Sequence, residues 1–205
     1  MSSPLTPRFF SGTTEKLSQK LLGKILCVRH GRKILRGRIV ETEAYIGVED
    51  RACHAFGGRR TKRTESLYQP AGFSYVYLIY GMYYCFNVVT CKQENPQAVL
   101  IRALTAVDDD HLLAQGPGKL CQALGSNKSH DQKNLLDPDS GSWLEDDGYK
   151  VSQSQIDKGP RIGVDYAGAA AKWHLRFYIK GHPDVSRSKS KPKSKPKKTR
   201  DHLSR

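Results

Sequence analysis

The stretch Gly37-Arg-Ile-Val-Glu-Thr-Glu-Ala-Tyr45 decides how the chain is read. As a strand with a two-residue side-chain period, it puts Ile39, Glu41, Glu43 and Tyr45 on one face and Val40, Thr42, Ala44 and Ile46 on the other. Glutamate has low strand propensity, so two of them beside an aromatic invite a reason. Either that face lines a cleft or it is a solvated edge. A second run, Val99-Leu-Ile-Arg-Ala-Leu104, is an apolar strand interrupted by Arg102. A guanidinium inside such a run needs a carboxylate partner or a functional task. Two readings stand: a structural ion pair with Glu41 or Glu43, or Arg102 and one glutamate jointly holding a water molecule.

Working outward, Thr14–Leu22 reads as a short helix with Leu17, Leu21 and Leu22 on one face and Gly23 ending it. Lys24–His30 leads through Gly31 into Ile34–Ile46, a hairpin pattern. Val99–Ala106 and Arg176–Lys180 read as further strands, and Gly116–Gly125 as helical. Strands clustered early, with helices around them, imply an α+β fold rather than a regular βαβ repeat.

The segment Tyr75-Val-Tyr-Leu-Ile-Tyr-Gly-Met-Tyr-Tyr-Cys-Phe-Asn87 turns back on itself near Tyr80-Gly81. Its tyrosines exceed what a core wants, because each buried hydroxyl needs a partner. It is either an apolar hairpin with hydroxyls at the surface or a surface on which bases stack. If Tyr77 and Asn87 share a sheet face, the loop is odd, Tyr80-Gly81-Met82, and Ile79 opposes Tyr83. A two-residue Tyr-Gly turn would force Tyr80 to positive φ. Upstream, Gly57-Gly-Arg-Arg-Thr-Lys-Arg63 is a basic loop suited to gripping phosphate.

The chain has 205 residues, a length that suits one domain. Its 34 Lys and Arg against 20 Asp and Glu give +14, a field that attracts polyanions, nucleic acid first. Much of the excess lies in residues 187–205, which hold nine Lys or Arg and one acid, Asp201. The segment 186–205, with Lys189-Ser-Lys-Pro-Lys-Ser-Lys-Pro-Lys-Lys198, is expected to be a disordered basic tail. It is either a nuclear-import signal and sliding phosphate contact or a solubilising tail. Residues 1–8 are also expected to be disordered. No apolar run approaches a membrane span and residues 1–10 have no apolar signal core, so neither a membrane protein nor secretion is expected. The five cysteines form no Cys-x-x-Cys pair and no zinc spacing, which points to free thiols and no metal.

An ordered series of stretches resembles the alkyladenine (3-methyladenine, or N-methylpurine) DNA glycosylase family. They are Leu35–Gly47, Glu49-Asp50 followed by His54, Gly57-Gly-Arg59, Tyr75–Asn87, Val99–Leu104, Gly116-Pro-Gly-Lys-Leu-Cys-Gln-Ala-Leu124 and Leu175-Arg-Phe-Tyr178. The resemblance implies one glycosylase domain over residues 9–185, built on a curved antiparallel sheet with a protruding aromatic hairpin and short surrounding helices. It implies that Glu43 activates the attacking water and Arg102 helps hold it. Tyr45, His54 and Tyr77 would form the pocket for a flipped base, and Asn87 would exclude normal guanine. Tyr80 would fill the gap left in the duplex, with Met82 and Tyr83 beside it in the groove. Arg59, Arg60, Lys62, Arg63 and, less directly, Lys119 would contact DNA, while Glu41 would be structural.

The expected partner is double-stranded DNA carrying a damaged purine, met by a nuclear monomer with no cofactor. The expected reaction is hydrolysis of the N-glycosidic bond of alkylated or deaminated purines: 3-methyladenine, 7-methylguanine, hypoxanthine and ethenoadenine. No lysine adjoins the site on these strands, which suits a monofunctional enzyme without a Schiff-base step. One departure stands out: the family usually has a longer, helix-containing segment where this chain has only Thr105–Gln115. Two rival readings are a catalytically weakened damaged-DNA binding protein and an RNA-binding protein with a basic tail.

Overall fold

The computed structural model describes residues 2–108, 112 and 114–186. The basic run 187–205 lies outside the described residues. In chain order the elements are β1 (Ser3–Pro4), α1 (Thr14–Leu21), β2 (Ile25–His30), β3 (Lys33–Tyr45), β4 (Ser74–Ile79), β5 (Tyr83–Val89), β6 (Ala98–Ala106), β7 (Ala114–Gln115), α2 (Pro117–Ala123), β8 (Ser142–Asp146), β9 (Ile156–Gly159) and β10 (Arg176–Ile179). Short 3-10 turns punctuate the connections. Among the described residues no helix is long and apolar enough to cross a membrane.

The strands form one antiparallel sheet in the order β1-β8-β2-β3-β6-β5-β4, with β7 on β6 and β10 joining β3 to β9. This is the expected α+β domain. Strand β3 is its spine. Along one edge it pairs first with β2 and then, from Glu41 to Glu43, with β10; along the other it pairs with β6. The β3–β6 register shifts around Glu41, where a bulge interrupts the pairing. That bulge corrects the simple alternation: Ile39 and Val40, although consecutive, both join the main apolar core. Ile39 therefore does not share the face of Glu41, Glu43 and Tyr45.

Helix α1 covers the core face of β3. Thr13 caps it by accepting from the Lys16 amide, and Leu17 and Leu21 are fully buried. Ser18 Oγ donates to Thr42 Oγ1 at 2.9 Å, tying the helix to the strand face opposite the glutamates. Burying each leucine stabilises the fold by about 1.5–3 kcal/mol.

Within the stretch 1–8 expected to be disordered, residues 3–5 are tied to the sheet. Ser3 and Pro4 pair with Asp146 and Glu145, and Leu5 is buried and donates its amide to Leu144. Ser186, expected to begin the tail, instead belongs to the body and is buried. The short connection after β6 folds back as β7, pairing Ala114 with Leu104 and Gln115 with Ala103.

β4 and β5 form a hairpin in which Ile79 opposes Tyr83, as expected. The loop Tyr80-Gly81-Met82 is odd, as that register requires, but positive φ at Tyr80 is not avoided. The Met82 amide donates to the Ile79 carbonyl at 3.2 Å, and both Tyr80 (φ 54°) and Gly81 (φ 68°) are left-handed. The twist of the paired strands favours two positive φ values at such a tip. Tyr80 takes that conformation despite a cost of about 1–2 kcal/mol for an L side chain.

Candidate functional site

The β3 bulge, the β6 strand and the hairpin converge on one cavity of about 700 Å³. Tyr45 reaches it from β3, Tyr77 from β4, Asn87 from β5 and Arg102 from β6. His54 comes from the loop after β3, Tyr80 and Tyr83 from the hairpin tip, and Lys119 from α2. Ile162 and Tyr166 complete the wall from the segment between β9 and β10.

Glu43 lies just behind this wall. It is fully buried, and its partners line the cavity. The Ile162 amide donates to Glu43 Oε1 at 2.7 Å, the Tyr45 hydroxyl donates to Oε2 at 2.9 Å, and Arg102 Nη1 stands 3.3 Å from Oε1. Burial pushes the Tyr45 phenol well above its ordinary range, and the Glu43 carboxylate adds to the effect, so Tyr45 stays a donor. Burial opposes the charge on Arg102, but Glu43 and Glu41 more than offset this and hold the guanidinium above its usual range. Arg102 pairs with both glutamates, which is the ion-pair reading of this residue extended from one partner to two.

Glu41, read as structural, is fully buried and accepts from Arg102 Nε at 3.1 Å, Arg176 Nη1 at 3.0 Å and the Ser186 amide at 2.8 Å.

The aromatic wall is braced from behind. The Arg161 guanidinium sits 4.8 Å from the centre of the Tyr45 ring and forms a fully buried ion pair with Asp50. Its Nη1 also donates to the Ala44 carbonyl at 2.9 Å. His54 meets Tyr77 edge-on at 4.7 Å between ring centres, and its Nδ1 is 2.8 Å from the Tyr75 hydroxyl. Burial, with Arg63 and Arg59 nearby, lowers the His54 imidazole to about 4, so it is neutral near pH 7. The Tyr77 phenol is raised by burial and by neighbouring Cys85. Asn87 Nδ2 donates to the Tyr75 carbonyl at 2.9 Å, which fixes its amide against the hairpin.

At the mouth, Tyr80 is 81% exposed and Met82 65% exposed, and Tyr83 is also exposed, with its ring against Gly118 of α2. Met82 lies on the tip rather than in the wall. The basic loop divides. Arg59 and Arg63 line a smaller cavity of about 270 Å³ that shares Cys53, His54 and Tyr166 with the first. Lys62 is exposed. Arg60, expected to contact DNA, forms ion pairs with Glu65 and Glu94 and stacks 4.3 Å from the Tyr68 ring centre. Its charge is already matched within the protein. Lys119 borders the cavity from α2, not from the strands of which the absence of a lysine was expected.

Sequence reasoning missed Asp50, Arg161, Ile162, Tyr166 and Ser186 as parts of this assembly. Pro160 and Gly163, flanking Arg161 and Ile162, are turn-forming residue types, but nothing local ties that stretch to Glu43. Among the described residues no group of three or more His, Cys, Asp or Glu is arranged to hold a metal ion. The five cysteines are free.

The family model described as methylpurine-DNA glycosylase matches residues 8–183. A Bdellovibrio bacteriovorus protein, provisionally named a 3-methyladenine DNA glycosylase, is 47% identical over 189 residues, covering 89% of this chain and 98% of its own. A Bacillus cereus (strain G9842) protein with the same provisional name is 45% identical over 201 residues, covering 88% of this chain and 98% of its own.

Proposed function

Because this chain belongs to the methylpurine-DNA glycosylase family, and so is a DNA glycosylase acting on DNA, we propose that it excises alkylated or deaminated purines by a Glu43-activated water in base excision repair. The observation that carries this reading is the buried Glu43–Arg102 pair set against a tyrosine-walled cavity. The glycosidic carbon of a stacked nucleotide is out of reach, so the nucleotide is extruded at a cost of a few kcal/mol. Stacking in the cavity returns about 1–3 kcal/mol per base, and Tyr80 at the exposed tip fills the vacated stack. The Tyr45 and Tyr77 faces favour a positively charged alkylpurine by about 0.5–2 kcal/mol, and the neutral His54 ring does not repel it.

Glu43 Oε2 accepts from Tyr45, which leaves a lone pair for a water proton. As the C1′–N bond breaks, the purine departs with the bonding electrons. The water oxygen bonds to C1′ and its proton passes to Glu43. The carboxylate also steadies the oxocarbenium-like sugar before attack. Asn87, fixed by its backbone hydrogen bond, crowds the exocyclic amine of normal guanine. The reading covers 3-methyladenine, 7-methylguanine, hypoxanthine and ethenoadenine.

The deciding experiment is single-turnover release of hypoxanthine from a duplex carrying one such base. Glu43→Gln should bind this duplex as wild type does but release the base ~10²–10⁴-fold more slowly. Wild-type release by that variant overturns the assignment, and a wild type that binds but releases nothing makes the chain a damaged-DNA binding protein. Borohydride should trap no covalent adduct, since hydrolysis is assigned to Glu43 and not to Lys119. A monomeric state and nuclear residence belong to the same proposal. Sedimentation tests the first, and imaging a fluorescent fusion with and without residues 187–205 tests the second.

A further inference from the structure

Every nitrogen of the Arg102 guanidinium has a partner. Nη1 faces Glu43 at 3.3 Å, Nε donates to Glu41 Oε1 at 3.1 Å, and Nη2 donates to Ser186 Oγ at 3.2 Å. The last two partners are themselves joined, because the Ser186 amide donates to Glu41 Oε2 at 2.8 Å. Glu41 is fully buried and Ser186 is 8% exposed, so little water is available to replace either contact. We propose that Ser186 and Glu41 are positioning residues for Arg102, closing a three-sided clasp that aims its remaining nitrogen at Glu43. This rests on the reading of Glu43 and Arg102 as the reaction centre.

The chain is built to deliver Ser186 to this place. After β10 it turns through His182, whose amide donates to the Ile179 carbonyl at 3.2 Å. The Asp184 amide donates to His182 Nδ1, and the Val185 amide to the His182 carbonyl. Gln115 on β7 then pins the segment through its side-chain amide, to the Pro183 carbonyl at 3.4 Å and to Asp184 Oδ1 at 3.1 Å. A planar guanidinium held at two corners has no free rotation about its long side chain. Released at one corner, it can swing by an ångström, and errors of that size cost up to about 10²-fold in rate. Glu41 serves two cations, Arg102 and Arg176, so its second oxygen needs the Ser186 amide to stay in register.

The test measures single-turnover base release, duplex Kd and Tm for full-length Ser186→Ala and Ser186→Thr, and for chains ending at Ser186 and at Val185. Ser186→Ala should release hypoxanthine ~10-fold more slowly at saturating enzyme, with Kd unchanged and Tm lowered only by the loss of one buried hydrogen bond. Ser186→Thr, which keeps the hydroxyl, should restore the rate. The chain ending at Ser186 should retain the wild-type rate, and the chain ending at Val185 should lose at least as much as Ser186→Ala. Wild-type rates for both Ser186→Ala and the chain ending at Val185 overturn the clasp. So does a rate loss that comes with weaker duplex binding or that Ser186→Thr does not restore, which would mark a merely structural contact. If Glu43→Gln releases base at the wild-type rate, the reaction centre itself is misassigned, whatever the Ser186 variants do.

Discussion

His54 shows how one residue's surroundings settle its chemistry. Its imidazole is lowered to about 4 by burial first and then by Arg63 and Arg59, against an ordinary value near 6.5. The sign follows. Between those values the unfolded chain binds a proton that the folded one refuses, so the contribution of His54 to stability is intact above about pH 6.5 and is lost as pH falls toward 4. An NMR titration of the ring should show it neutral from pH 8 down to about 5. Replacing Arg63 by Ala should raise its midpoint, whereas a wild-type midpoint near 6.5 would contradict this account. Sequence could propose His54 for the pocket but could not supply this neutrality, because it depends on which arginines fold against it. Asp50 and Arg161 were hidden for a similar reason. Their ion pair joins residues 111 apart in sequence, and it supports Tyr45 from the side away from the cavity.

At the scale of elements, the long patterned strands were legible and the short ones were not. β3, β6 and the β4–β5 hairpin carry β-branched and aromatic runs long enough to declare themselves. β8 reads Ser-Trp-Leu-Glu-Asp and β9 only Ile-Asp-Lys-Gly, so tertiary pairing rather than propensity makes them strands. The bulge in β3 was also invisible, because it is created where β2 hands over to β10. The packing of α2 on the hairpin gives a test at this scale. Gly118 on α2 faces Tyr83, and a Cβ there would come within 2.9 Å of the ring atoms Cγ and Cδ1. In an open helix alanine would be worth up to about 1 kcal/mol over glycine. Here the overpacking, about 1–3 kcal/mol, outweighs it. Gly118→Ala should lower Tm and weaken binding to lesion-bearing duplex by displacing the hairpin. A raised Tm with unchanged Kd would show that Tyr83 moves aside freely.

At the scale of the whole molecule, charge sets how the enzyme meets DNA. The chain carries +14, and residues 187–205 hold nine of its 34 Lys and Arg. Each phosphate contact steepens the fall of log K with log salt by about 0.9. A chain ending at Ser186 should therefore bind duplex more weakly at low salt and show a shallower salt slope, with its saturated rate of base release unchanged. Equal slopes would mean that these residues leave the phosphates alone. Sequence revealed this imbalance outright, whereas the closure of the site by Ser186 required a chain that turns back after β10. The backbone of Tyr80 has a consequence of its own. Glycine would relieve a left-handed position whose side chain is 81% in solvent and braces little. Tyr80→Gly should match or exceed the wild-type Tm while capturing extruded lesions poorly. Under the role proposed for Tyr80, breeding this protein for heat endurance alone would erode the tool with which it pries at a helix.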